Sequence, residues 1–303
     1  MTFSTRTAIH FLSLLSFPVL AQVPQTLVPI DESVAEVFQQ IASDERVRSL
    51  LQLIEAREPD NVREQFRITE IPAPPFQEER RAVYYLEQMR ARGLSDAYID
   101  TEGNAIGIRK GTGNGPTLLI AAHLDTVFPE DVDTTVELRG GRYYAPGIGD
   151  DTRGLAVLLS IIEVLNESGI ETVGDIIFSG NVGEEGRGDL RGIKAIFRDY
   201  PEIDGFISID GVQLRRITTG ATGSRRFEFH FKGPGGHSFG AFGLPSAIHA
   251  MGRAIAKISQ LETLPFPKTT FTVGTVEGGT SVNSIAADAT FAIDMRSNDR
   301  GQI

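Results

Sequence analysis

The segment Thr117–Ala122 is apolar at every position but the first. A strand without polar alternation has to be covered on both faces, so this one reads as a central strand in a sheet packed between helices. Its neighbours agree. Ala105–Arg109, Asp175–Ser179 and Gly205–Ile209 read as further strands, Leu155–Leu165 as a strongly apolar helix and Leu190–Arg198 as another helix. Strands alternating with helices predict an α/β unit, a mixed, mostly parallel sheet with helices on both faces. Ahead of it, Asp31–Arg57 carries Val34, Val37, Phe38 and Ile41 at helical spacing, and Phe76–Arg92 reads as a second amphipathic helix ended by Gly93. The glycine-rich segment Lys110–Gly115 lies between two of the strands. No Lys-Ser/Thr pair follows it and the next element is a strand, so a hairpin turn is a better reading than a phosphate cradle.

Near Gly220 the pattern changes. Arg225–Lys232 alternates as a strand, Leu244–Ile258 is helical, and Thr270–Val276 and Ala287–Arg296 are strands. This β-α-β-β order is the beginning of a ferredoxin-like α+β unit. The predicted organisation is therefore a first domain over 30–220 and a second over 221–303. The N-terminus carries Arg6, an apolar run from Phe11 to Leu20, and small residues at Val19 and Ala21. That pattern predicts a signal peptide over 1–21, and hence a secreted or periplasmic protein. The run is too short to span a bilayer, and no later segment holds about 18 uninterrupted apolar residues. A net charge of −11 argues against nucleic acid or an anionic membrane surface as partner, since both need a basic footprint.

The chain has no cysteine, so any metal site must draw on His, Asp and Glu. Apart from His10 in the expected signal, the histidines are His123, His230, His237 and His249. Acidic residues and one of these histidines gather where predicted strands end, the edge at which open α/β sheets carry their functional groups. His123 and Asp125 follow the central strand; two apart on extended chain, they point the same way, so His123 could bind a metal while Asp125 orients its ring. Asp150 and Asp151 precede the Leu155 helix, which one of them could cap. Glu184 and Glu185 sit between Gly183 and Gly186, an expensive pairing of like charges unless a cation or proton relieves it. Asp210 ends the Gly205–Ile209 strand. Zinc takes such N and O ligands, and two ions sharing a bridging carboxylate need such a set. Manganese or magnesium would suit the carboxylates; the histidine favours zinc or cobalt.

These stretches resemble the metal-dependent peptidase and amidohydrolase family that contains peptidase T, carboxypeptidase G, acetylornithine deacetylase and aminoacylase. The matching segments are AAHLDTV, GIGDDTRG, NVGEEG, SIDG and GPGGHSFG, then GGTSVNSIAADATFAIDMRS, in the family's order from about Glu70 onward. GPGGHSFGAFG is similar to the peptidase T-like branch. The resemblance implies two zinc ions, with His123 and Asp210 on one, Glu185 on the other and Asp150 bridging. It implies Asp125 as support for His123 and Glu184 as general base. It also implies that the second domain is a lid and dimerisation module, giving a homodimer. There His237 would stabilise the oxyanion, and Asn283 and Arg296 would contact substrate. Ala286 stands where many members carry proline. The family continues beyond the point matching Ile303, with a further histidine ligand, so a C-terminally truncated chain is expected.

The activity implied is hydrolysis of peptide bonds by an exopeptidase of aminopeptidase or dipeptidase type. An N-acyl amino acid deacylase or carboxypeptidase would use the same metal site. A chain lacking one ligand could instead be an inactive binding or dimerisation protein. His230 and His249 read as structural or surface residues, Arg187-Gly188-Asp189 as a chance tripeptide, and Asn166-Glu167-Ser168 as a glycosylation sequon by pattern only.

Overall fold

The computed structural model describes residues 30–211, 216–218 and 220–303; the expected signal peptide lies outside the described residues. The chain divides into two compact units that part between Val212 and Gln213. Strand alternation resumes further on, near the expected boundary at residue 221.

In the first unit, helices α1 (Glu32–Ser43) and α2 (Glu45–Ala56) replace the single helix expected over Asp31–Arg57. Asp44 breaks it: its backbone is extended and its carboxylate accepts the Arg46 amide at 2.8 Å, capping α2. Helix α3 (Glu58–Thr69) begins with Pro59 in its first turn. Helix α4 (Glu79–Ala91) starts three residues later than Phe76, because Phe76 has φ 68°, a left-handed conformation that no α-helix continues. Strands β1 (Ala97–Ile99), β2 (Ala105–Arg109) and β3 (Thr117–His123) follow. After a short hairpin of β4 (Glu137–Arg139) and β5 (Arg142–Tyr144) come α5 (Thr152–Glu167), β6 (Ile176–Asn181), α6 (Arg191–Asp199) and β7 (Ile203–Ser208).

The main sheet has the order β1-β2-β6-β3-β7. Its β6–β3 and β3–β7 pairings are parallel, whereas β1–β2 and β2–β6 are antiparallel. The sheet is mixed as expected, yet only half of its pairings are parallel, which corrects the mostly parallel reading. The cause is β6, which inserts between β2 and β3. That insertion also overturns the hairpin expected at Lys110–Gly115: β2 and β3 do not pair, and the segment instead crosses the approach to β6. The Thr112 and Gly113 amides donate to Thr172 O and Val173 O at 2.9 and 3.0 Å. Glycine is required there by close approach, since a Cβ on Gly174 would stand 1.8 Å from Pro116 O.

Helices cover both faces. On one, α3, α4 and α5 pack Ile68, Tyr85, Met89, Leu155, Leu158, Leu159 and Ile162 against Ile120, Ile176 and Phe178. Leu155, Leu158, Leu159 and Ile162 form the i, i+3, i+4, i+7 stripe of α5, and full burial of each such side chain contributes about 1.5–3 kcal/mol. On the other face, α6 places Ile196 against Ile106, Leu119 and Ile177. The buried Tyr85 hydroxyl donates to Leu155 O at 2.9 Å, tying α4 to α5.

The second unit consists of β8 (Gly223–Lys232), β9 (Gly236–His237), α7 (Ala247–Ile258), β10 (Thr269–Gly278), β11 (Ser284–Ile285) and β12 (Asp288–Ser297). Strands β10, β12 and β8 form an antiparallel sheet with β12 central, and β9 pairs with β11. Helix α7 covers one face, packing Ala247 and Met251 with Phe291 and Ile293.

Gly174→Ala tests the crossing described above. Its methyl group must displace the Pro116 carbonyl, and we expect a loss of about 1–3 kcal/mol in urea unfolding, against little change for Gly169→Asn at an open helix end.

Candidate metal centre

The parallel strands β6, β3 and β7 end at one edge of the sheet. His123 lies opposite Asn181, and Ala121 opposite Ser208. The segments leaving that edge carry Asp125, Glu184, Glu185 and Asp210, and the N-terminus of α5 brings Asp150 and Asp151.

His123 is buried. Its Nδ1 lies 2.9 Å from the carbonyl oxygen of Asp125. A carbonyl only accepts, so Nδ1 carries the hydrogen and Nε2 is the nitrogen left for a ligand bond. Nε2 stands 2.9 Å from Asp150 Oδ1. The two aspartates divide their work. Asp151, 1% exposed, caps α5 by accepting the Gly154 amide at 3.1 Å and also accepts the His123 amide at 3.0 Å. Asp150, joined to it by a cis peptide, keeps its carboxylate half-exposed and turned to the histidine. The loop before them is anchored from α3: Gln65 Nε2 donates to Ile148 O at 2.5 Å, and the Thr69 and Thr152 hydroxyls meet at 2.7 Å.

Asp125 has no exposed surface. Its Oδ1 accepts the Glu184 amide at 3.1 Å and its Oδ2 the Glu185 amide at 2.7 Å, while Oδ1 faces His123 Nδ1 at 3.6 Å. One carboxylate therefore braces both the histidine and the glutamate corner. Asn104, fully buried, holds the chain two residues ahead of Glu184 by accepting the Val182 amide at 3.0 Å.

His123, Asp150 and Glu185 each offer one donor atom, and these atoms all lie within 4.8 Å of one another. Donors at about 2.0–2.1 Å from a tetrahedral zinc stand about 3.3 Å apart, and an imidazole with two carboxylates is a donor set of the kind a divalent ion takes. Glu184 and Asp210 are not in that group. Asp210 follows Ile209, whose amide donates to Ala121 O at 2.8 Å, and acts on Asp151, Glu184 and Glu185 through its charge.

Negative charge is crowded at this edge. Burial, reinforced by the negative charges of Asp210 and Asp125, raises Glu184 and Glu185 above the usual carboxylate range. Burial pushes Asp151 up to about 8. Burial opposes a charge on His123, yet hydrogen bonds to Asp125 and Asp150 and the nearby Asp151 outweigh it and raise the ring to about 11. Without a metal, a proton on the imidazole supplies the positive charge that the carboxylates require.

The sequence-predicted residues of the second unit fall in two places. His237 and Asn283 are neighbours: Ser284 lies opposite His237, and the Ser238 amide donates to Asn283 O at 2.9 Å. His237 Nδ1 accepts the Phe239 and Gly240 amides at 3.3 Å, so its exposed ring carries the hydrogen on Nε2. Arg296 stands on β12, its Nε donating to Asp294 Oδ2 at 2.9 Å, while Arg226 donates to the other oxygen. His230 pairs with Glu228 on β8 and His249 is exposed on α7. Asn166 does not suit a glycan: Nδ2 donates to Arg92 O at 2.8 Å and Oδ1 accepts from Arg109. In the Arg187-Gly188-Asp189 tripeptide, Asp189 pairs with Lys194 and Gly188 is buried.

The model of peptidase family M20/M25/M40 matches residues 119–270, half of the chain, and spans the His123, Asp150, Glu184 and Asp210 segments. The chain belongs to this family. A protein named as a LysW-lysine/LysW-ornithine hydrolase from Pyrococcus abyssi is 30% identical over 190 residues, covering 63% of this chain and 47% of that protein. Carboxypeptidase G2 of a Pseudomonas species is 28% identical over 206 residues, 64% of this chain and 47% of its own. The chain spans about half the length of the relatives it matches. The YXEP protein of Bacillus subtilis, a dinuclear metal binding peptidase, shares the M20 fold with a TM-score of 0.55, 17% identity, and coverage of 82% of this chain and 66% of that one.

A metal at Nε2 has to displace the proton that His123 retains up to about 11. Zinc binding is therefore expected to release a proton at pH 7 and to strengthen by up to about tenfold per unit as pH rises. Calorimetry in buffers of differing ionisation enthalpy checks this; uptake, or no release, would contradict it.

Proposed function

We propose that this chain carries the hydrolytic centre of a two-zinc peptidase that removes a terminal residue from short peptides. The observation that supports it most is the convergence of His123, Asp150 and Glu185, with the Asp125 carbonyl holding Nδ1 of His123 so that Nε2 faces the carboxylate of Asp150. His123, Asp150, Glu185 and Asp210 would hold the ions, Asp150 being shared; zinc suits the mixed imidazole and carboxylate donors, with cobalt and manganese as alternatives. Bound there, the ions would supply positive charge that acidifies a water and polarises the scissile carbonyl.

The chain's own groups do the rest. Glu184, raised by burial among like charges, takes the proton from the attacking water and hands it to the leaving amine. Asp125 keeps Glu184 and Glu185 in register through their amides. In the second unit, His237, exposed and with its hydrogen on Nε2, is suited to meet a developing oxyanion. Asn283 beside it, and the fork of Arg296, suit a substrate carbonyl and carboxylate. The proposal extends to export guided by residues 1–21 and to a homodimer formed through a lid-like second unit.

A second reading is favoured by the likeness to carboxypeptidase G2: a carboxypeptidase or N-acyl amino acid deacylase using the same centre. Rates on free-amine, N-blocked and C-blocked peptides separate the two, because an aminopeptidase loses its substrate when the amine is blocked. Glu184→Gln is expected to lower turnover by about 100-fold or more while zinc stoichiometry stays as in the wild type. Near-wild-type turnover in that variant would remove Glu184 from its role as base.

A further inference from the structure

We infer that Arg191 is a positioning residue for the Glu184–Glu185 corner, fixing where the two side chains stand by gripping Gly183 from behind. The inference rests on reading Glu184 as base and Glu185 as metal ligand. Gly183 has φ 68°, and a Cβ built on it would lie 2.6 Å from Arg191 Cγ and 2.8 Å from Arg191 Nε. The aliphatic stem of Arg191 is thus packed directly on the Gly183 backbone, one residue before Glu184.

The far end of Arg191 is held on three sides. Nη2 donates to Glu78 Oε1 at 2.7 Å, and Nη1 donates to Glu102 O at 2.9 Å and to its Oε1 at 3.3 Å. The guanidinium also lies 5.1 Å from the centroid of the Phe76 ring. Glu78 is 4% exposed, so solvent and salt screen its pairing with Arg191 weakly. Glu78 is itself pinned, its Oε1 accepting the Phe76 amide at 3.0 Å. On the backbone side, the Arg191 amide donates to Gly188 O at 3.0 Å and the Gly188 amide to Glu185 O at 2.9 Å, which closes the turn downstream of the glutamates.

The corner is therefore clamped from two directions. Asp125 takes the Glu184 and Glu185 amides from the side of the histidine. Arg191, anchored on the approach to α4 and on the turn before β2, backs Gly183 from the other. A shift in either clamp is carried to the carboxylates through one or two peptide units.

The test compares wild type, Arg191→Met, Arg191→Lys, Glu78→Gln and the double variant Arg191→Met/Glu78→Gln in the zinc-loaded protein. Arg191→Met retains an unbranched stem under Gly183 and loses the ionic anchors. We expect its zinc dissociation constant, read by chelator competition, to rise about tenfold, and kcat per loaded site to fall about tenfold with KM nearly unchanged. Glu78→Gln should act in the same direction, the double variant should lose no more than the worse single one, and Arg191→Lys should recover part of the loss. Hydrogen exchange gives a readout independent of metal and catalysis: the Glu184 and Glu185 amides should exchange faster in Arg191→Met than in wild type. Unchanged exchange, zinc affinity and kcat in Arg191→Met would overturn the inference. So would losses that follow only the folded fraction, with folded, loaded molecules turning over at the wild-type rate. A wild type that neither retains zinc nor hydrolyses peptides would instead remove the proposed function, and the exchange rates would still decide the role of Arg191.

Discussion

The Asp125 carboxylate is the contact on which the rest of the centre depends. It is fully buried, and burial alone would drive it neutral. The Glu184 and Glu185 amides and the His123 ring offset that cost and hold it below the usual carboxylate range. Because the same group faces the histidine and receives both glutamate amides, the segments after β3 and β6 cannot move independently. Parallel pairing of β3 with β6 brings those segments to one edge, and Asp125 then fixes their spacing to within a hydrogen-bond length. Without it, the sheet would place a histidine and two glutamates in one neighbourhood and leave their orientation unset.

Asp151 plays the corresponding part on the helix side. Its two accepted amides, from Gly154 and His123, join the first turn of α5 to the end of β3. The side chains behind that turn are Leu155, Leu158, Leu159 and Ile162, the apolar stripe that anchors α5 in the core. The position of Asp150 is in this way set by hydrophobic packing that begins five residues on, at Leu155, and reaches it through the cap at Asp151. The helix cap serves stability and also delivers the exposed carboxylate to the histidine.

Much of this was readable from the chain alone, and the reasons are local. A continuous apolar strand followed by His123 and Asp125, an aspartate pair before an apolar helix, and a glutamate pair between glycines each announce themselves within a few residues. The α/β alternation emerged from periodicity, and the second unit's strands from their polar-apolar alternation. What was missed depends on partners far away in sequence. Helix α3 buries Asn61, Glu64, Gln65 and Thr69; Asn61, Gln65 and Thr69 find partners on α5 and its preceding loop and Glu64 accepts from Tyr84 on α4, so no apolar stripe marked it. The insertion of β6 between β2 and β3 depends on non-local pairing, and loop glycines next to two strands look the same whether they turn a hairpin or pass a neighbour. Asn104 and Arg191 act on residues some 80 and 8 positions away, through backbone contacts that leave no trace in composition.

The two histidines discussed above are wired with opposite polarity. At His123 the main chain takes the hydrogen of Nδ1, so Nε2 is the nitrogen whose proton a metal can replace; at His237 the main chain gives two hydrogens to Nδ1, so Nε2 is the nitrogen that offers a hydrogen. A neutral imidazole is ambivalent by itself, and here peptide groups resolve the ambivalence before any substrate arrives. The loops around each ring, rather than the ring's identity, decide whether it serves as a Lewis base or as a hydrogen donor. Exchanging only the side chains between two such loops would leave each location's chemical sense intact.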